Sequence, residues 1–267
     1  MKILVVGDCH GKMPSIPDQE FDLILCVGDI CGGTEEMRSV MMDAIEDERQ
    51  WHEIVGEENA RQMVQESIKE GREILERLDE LGVPVLVVPG NWDWTGENSE
   101  WEFLEARGYP GMLKGMENIV DLNLSSFKKS GYNFVGYGPC PSPELPQYEQ
   151  DFPGEEELEE LRREYRQNKQ KLAELLEESG NTVLLSHNVP NDTSLDRIED
   201  EDNPEYGKHF GSIIVRELVE NYQPEYCIAG HMHEGEGKER LGKTLCLNTG
   251  LETVWNLDTE TGELKKI

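Results

Sequence analysis

The chain has 267 residues, with 25 Lys plus Arg against 56 Asp plus Glu, so its formal net charge is −31. Such a field repels phosphate backbones and argues against tight nucleic-acid binding. The length accommodates one large α/β domain or two small ones, and a hydrophobic content of 36% is enough to build a core.

Residues 2–7 form a short apolar run that predicts a buried strand, and Asp8 and His10 follow it two positions apart. A second run, Phe21 to Val27, ends at Gly28-Asp29. Thr34 then reads as a helix cap before a helical stretch over about 35–82. Apolar residues recur there at 3–4 spacing, and Gly56 and Gly71 are expected to divide the stretch into two or three helices. A third strand, Val83 to Val88, leads to Gly90-Asn91-Trp92-Asp93. Ile119 to Leu124 and Tyr132 to Tyr137 alternate in polarity and read as an antiparallel pair turning at Lys128 to Gly131. A Pro-rich loop over 138–146 precedes a highly charged helix over about 155–178.

Thr182 to Leu185 is the next strand, with Ser186-His187 beyond it. The acidic residues 196–205 read as a mobile segment. Ser212 caps a helix over 213–222. Tyr226 to Ala229 then delivers Gly230-His231-Met232-His233, and strands over 243–248 and 252–258 close the chain. No C-x-x-C pair occurs among the six cysteines, and three of these (Cys26, Cys227 and Cys246) sit in apolar runs. No apolar stretch reaches membrane-spanning length, and Met1-Lys2 runs straight into the first strand. The expectation is a reducing, cytoplasmic setting without membrane attachment.

Five strand ends thus supply Asp8, His10, Asp29, Asn91, His187, His231 and His233. Four imidazoles, two carboxylates and one amide oxygen suit first-row transition metals. All these blocks must converge on one place, which argues for a single domain over 1–267.

In this order the blocks D-x-H, G-D, G-N, a lone His and G-H-x-H resemble the calcineurin-like metallophosphoesterases. The resemblance implies a four-layer α/β/β/α sandwich, here with a helical insertion at about 35–82. It implies two divalent ions (Mn, Fe, Zn, Ni or Co), one held by Asp8, His10, Asp29 and His233 and the other by Asp29, Asn91, His187 and His231. Asp29 would bridge them, and Asp93 would stand behind the ligands in support. The implied activity is hydrolysis of small phosphodiesters or phosphomonoesters by in-line attack of a metal-activated hydroxide. The resemblance breaks at Trp92, where many relatives carry a His that serves the leaving group. An indole has no proton to give near neutral pH. Relatives without that His are often phosphodiesterases, so diesters are the favoured class. His209 lies beside the expected start of the 213–222 helix and is the candidate replacement acid or phosphate contact. His52 is expected to play a surface or packing role. The contrasting function is a non-catalytic scaffold of the same fold used in protein–protein interaction, which would be expected to have lost ligands. The oligomeric state is left open, a homodimer included.

Overall fold

The computed structural model of the chain describes residues 1–46, 49–96, 108–148, 152–177 and 180–267. Twelve strands run through these residues: β1 Lys2–Val6, β2 Leu23–Cys26, β3 Val85–Val87, β4 Ile119–Asp121, β5 Ser126–Lys129, β6 Tyr132–Tyr137, β7 Asn181–Asn188, β8 Tyr226–Gly230, β9 Gly237–Leu241, β10 Thr244–Asn248, β11 Val254–Asp258 and β12 Glu263–Lys266. They form two six-stranded sheets, ordered β12-β11-β1-β2-β3-β4 and β5-β6-β7-β8-β10-β9. The helices are α1 Glu35–Glu46, α2 Trp51–Val55, α3 Glu57–Asp79, α4 Tyr109–Met112, α5 Glu155–Glu177 and α6 Ile213–Tyr222.

Each central strand is buried on both faces, which is why its sequence is a continuous apolar run. Ile3, Val5, Leu23 and Leu25 of the first sheet meet Phe134, Val183, Leu185 and Ile228 of the second in one shared core. The opposite faces carry Leu4, Val6 and Ile24 against Leu75 and Leu78 of α3, and Leu184, Cys227 and Cys246 against Leu172 of α5 and Leu218 of α6. Four layers follow: helix, sheet, sheet, helix. Among the described residues no helix is long and apolar enough to cross a membrane.

Three expectations are corrected. Residues 119–121 do not pair with β6; they join the first sheet parallel to β3, and Ser126–Lys129 is the antiparallel partner of β6. The change of sheet occurs within Leu122 to Ser125, where Leu124 takes a positive φ of 49°. Gly71 does not interrupt α3, which runs unbroken through it. A Cβ at position 71 would lie 2.6 Å from Cys31 Sγ, so this glycine serves close packing and not a break. Asp196, expected in a mobile segment, is fully buried. The caps hold as expected, since Thr34 Oγ1 accepts from Met37 N and Ser212 Oγ accepts from Val215 N. Residue 178, at the end of the expected charged helix, lies outside the described residues.

Candidate dinuclear metal site

The ends of β1, β2, β3, β7 and β8 bring the chemistry-bearing turns together. Asp8 follows β1, and its backbone carbonyl and side chain both tie neighbouring turns. Its carbonyl accepts from Glu252 N, and Oδ2 accepts from His231 N at 2.7 Å. The N–H groups of Cys9 and His10 both donate to the Asp29 carbonyl, which locks the first turn to the second. His10, Asp29 and His231 all take left-handed backbone conformations, with φ of 44°, 47° and 67°. Three non-glycine residues in that region at one place mark backbone held to serve side-chain position. His187 lies within β7 and not beyond it, at the point where the β7–β8 register shifts between Leu185 and Asn188.

The side chains gather in two groups. Asp8, His10 and His233 form one, and Asp29, His187 and His231 the other, each with its candidate ligand atoms within 4.8 Å of one another. Asp29 reaches both: Oδ2 is 3.5 Å from His10 Nε2 and Oδ1 is 3.6 Å from His187 Nε2. Asn91 Oδ1 is 2.9 Å from His187 Nε2 and so joins the second group. All seven residues expected from the sequence are therefore brought to one cluster.

Backbone carbonyls select which imidazole nitrogen faces inward. Val27 O takes the Nδ1–H of His187 at 2.9 Å and leaves Nε2 for the cluster. Pro141 O takes the Nε2–H of His231 at 3.0 Å, so here Nδ1 is left. Carbonyl acceptors of this kind orient metal-binding histidines. Asp93, fully buried, supports the next layer out. Its Oδ1 accepts from Ile30 N at 2.8 Å and Cys31 N at 2.9 Å, and Oδ2 accepts from Gly90 N at 2.7 Å. It thereby joins the Asp29 turn to the Asn91 turn. Gly90 is required by close approach, because a Cβ there would collide with Asp29 Oδ1.

The electrostatics favour cations. Burial pushes Asp29 up to about 7, and burial raises Asp93 as well. Burial also works against Asp8, but its His233 hydrogen bond and the His187 charge outweigh it and hold the carboxyl below its usual value. Burial pushes His10 down to about 4 and His231 to about 3. His187 moves upward because the Asp29 and Asp8 charges overcome its burial. Neutral imidazoles beside buried carboxylates are the forms that bind metal ions. Two further observations test the fit. Asp8 Oδ1 is buried with no hydrogen-bond partner, and His10 Nε2 faces His233 Nε2 at 3.2 Å. An unsatisfied carboxylate oxygen and converging acceptor nitrogens are what cations would compensate, so the donor set fits.

The family model for metallophosphoesterases of the calcineurin superfamily matches residues 9–254. The chain belongs to that family. It is 26% identical over 265 residues to the uncharacterized protein MJ1162 of Methanocaldococcus jannaschii, covering 97% of this chain and 93% of that one. TT1561 of Thermus thermophilus shares the fold with a TM-score of 0.58 and 14% identity, covering 100% of this chain and 97% of that one. A dimetal phosphatase from Danio rerio does so with a TM-score of 0.53 and 12% identity, over 95% and 91% of the two chains.

His209 pairs with Asp196, with Nδ1 2.8 Å from Oδ1 and Nε2 3.9 Å from Asp192 Oδ1. The N-terminus of α6, expected as an anion site, already holds an anion of the chain itself. Glu144 Oε2 accepts from Ile213 N at 2.8 Å and Ile214 N at 3.3 Å. Trp92 packs its ring on Gly33, edges against His10 with centroids 6.0 Å apart, and lies under the Arg38 guanidinium at 5.7 Å. His52 lines a cavity of about 880 Å³ that opens from Gly90 and Asn91. Sequence reasoning missed Glu144, Asp196, Arg38 and this cavity. It also missed Asn248, which braces the His231–His233 turn by donating to Met232 O at 2.6 Å.

Proposed function

We propose that the chain is a dinuclear metal-dependent phosphoesterase of small substrates, with diesters favoured over monoesters. The observation that carries this is Asp29, whose two oxygens each face a separate cluster of ligands. Asp8, His10, Asp29 and His233 would hold one cation, and Asp29, Asn91, His187 and His231 the other. The pair of cations supplies Lewis-acid charge and an activated water for in-line displacement at phosphorus.

The chain's own residues do the rest. Trp92 N donates to Asp29 Oδ1 at 2.8 Å and fixes the carboxylate that would serve both cations. Val27 and Pro141 hold the His187 and His231 rings in the orientation that presents the free nitrogen. In the net reaction a water oxygen bonds to phosphorus, the ester P–O bond breaks, and the departing oxygen ends with a proton. Trp92 cannot donate that proton. The permanent Arg38 charge, 5.7 Å over the indole, would steady the negative oxygen instead, while solvent delivers the proton. A diester carries one fewer negative charge than a monoester dianion, which suits a site lacking a built-in acid. The complete ligand set speaks against a scaffold that has lost its chemistry.

The test is a screen of the metal-reconstituted protein with aryl monoesters, aryl diesters and alkyl diesters, with manganese, iron, zinc, nickel and cobalt in parallel. Turnover that disappears with chelator and returns with metal is expected, diesters leading. Absence of turnover for every ester with every metal would sink the reading.

A further inference from the structure

The cavity beside Asn91 has walls of unusual composition for a site that handles phosphate. Trp51 and Trp94 form one side, with ring centroids 6.4 Å apart. Tyr137, Tyr148, Tyr165 and Phe210 contribute on the other, and Tyr148 and Phe210 lie with centroids 6.1 Å apart. Among the described residues the lining contains no Lys or Arg, and its charged groups are Glu144 and Glu164. Two lysines lie over the aromatic rings without joining the lining, and each is already paired. Lys208 lies over Tyr148 and bonds Glu205, and Lys169 lies over Tyr165 and bonds Glu217 at 2.5 Å. The helix N-terminus that could have taken a second anion is filled by Glu144.

We propose that this cavity takes the organic group of the substrate, and that this group is uncharged and partly aromatic. The proposal rests on the phosphoesterase reading and adds the substrate class to it. A volume of about 880 Å³ is in the range of small-molecule sites and exceeds what a bare phosphate needs. Flat aromatic walls reward a flat apolar group by stacking and burial. A second phosphate or a carboxylate would find no Lys or Arg among the described lining residues, would face Glu164, and would enter against the −31 field of the chain. Polyphosphorylated molecules are therefore excluded by the same surface that accepts neutral aromatic ones.

The experiment uses the metal-loaded full chain and competing methyl phosphodiesters, followed by phosphorus NMR. The second ester group is methyl, naphthylethyl or phosphonoethyl, so that the bond chemistry stays similar while the body changes. The naphthylethyl ester is expected to exceed the dimethyl ester in kcat/KM by about tenfold or more. The phosphonoethyl ester should fall about tenfold below the dimethyl ester at low salt and recover toward it at high ionic strength. Trp94→Ala should erase most of the naphthylethyl-to-dimethyl ratio in kcat/KM, and do so through KM. The wild-type panel stands by itself if that variant fails to fold. Equal or better use of the phosphonoethyl ester, or no advantage for naphthyl over methyl, would overturn the proposal alone. Turnover of none of the three, together with none in the broader ester screen, would remove the phosphoesterase reading and this proposal with it.

Discussion

His209 and Asp196 form a pair in which the imidazole Nδ1 sits 2.8 Å from the Oδ1 of a fully buried carboxylate. The carboxylate does more than orient the ring. It accepts from the backbone N–H groups of Asp192, Thr193 and Gly211 at 3.1, 2.8 and 2.9 Å. The pair is thus the knot of the loop following β7, and His209 N in turn donates to Tyr148 OH at 2.9 Å.

A histidine used as a knot should matter to folding more than to chemistry. Asp196→Ala strands three backbone donors and is expected to cost about 3 kcal/mol or more in urea unfolding. His209→Ala should cost less, and should slow alkyl and nitrophenyl esters alike. A selective loss on alkyl esters, within the range of about 10²–10⁴ typical of a general acid, would instead give His209 the role of the acid.

Arg38 carries the opposite expectation. If its charge steadies the departing oxygen, Arg38→Ala should lower kcat for alkyl diesters by about tenfold to a hundredfold and barely affect nitrophenyl esters, whose leaving group needs no help. Because a guanidinium does not titrate below about pH 12, the loss should be the same at every pH. A loss that grows toward alkaline pH would point to a titrating group elsewhere.

The seven clustered residues were legible in the sequence because six follow strands in turns of recognisable composition, and His187 closes an apolar run near the end of β7 itself. The alternation of buried runs and helices gave the layers for the same reason. What escaped was set by packing between distant segments. Ser126–Lys129 is too short and too polar to announce itself as a strand, and only its pairing with β6 makes it one. Asp196 lies in an acidic run that looks solvated, and nothing local shows that three amides converge on it. The cavity escaped because its walls come from α2, the Trp94 loop, the Pro-rich loop and α5, with no periodicity linking them.

Gly71 illustrates the same limit and gives a prediction of its own. By helix propensity alone, Gly71→Ala should stabilise α3 by roughly 1 kcal/mol. The added methyl meets Cys31 Sγ at 2.6 Å and Met112 Sδ at 3.2 Å, however, in a packed layer beside the Asp29 turn. Overpacking of that kind costs about 1–3 kcal/mol, so the net change in urea unfolding should be destabilising. A more stable variant would show that the Cys31 side of the turn yields freely.

The proposed bridging role of Asp29 is tested by Asp29→Asn. The amide keeps one acceptor oxygen and loses the charge, so both cations should bind more weakly. Metal analysis after dialysis is expected to show both sites depleted. Retention of one full equivalent would mean that Asp29 serves a single site.

Proton release on metal binding follows from the direction in which burial moves the ligands. Asp29 is pushed up to about 7, and the Asp29 and Asp8 charges raise His187, so the pair retains a proton below neutrality in the metal-free fold. His10 at about 4 and His231 at about 3 are already neutral at about pH 6 and have nothing to release. A cation requires the carboxylate form, so its binding must expel the retained proton. Calorimetry in buffers of different ionisation enthalpy should therefore find release of about one proton or more at about pH 6. The sign for affinity is the same. It should rise with pH up to about 7, where competition from the proton ends, and level off above. Binding without proton release at about pH 6, or affinity that declines between about pH 6 and 7, would show that Asp29 is ionised before the metal arrives.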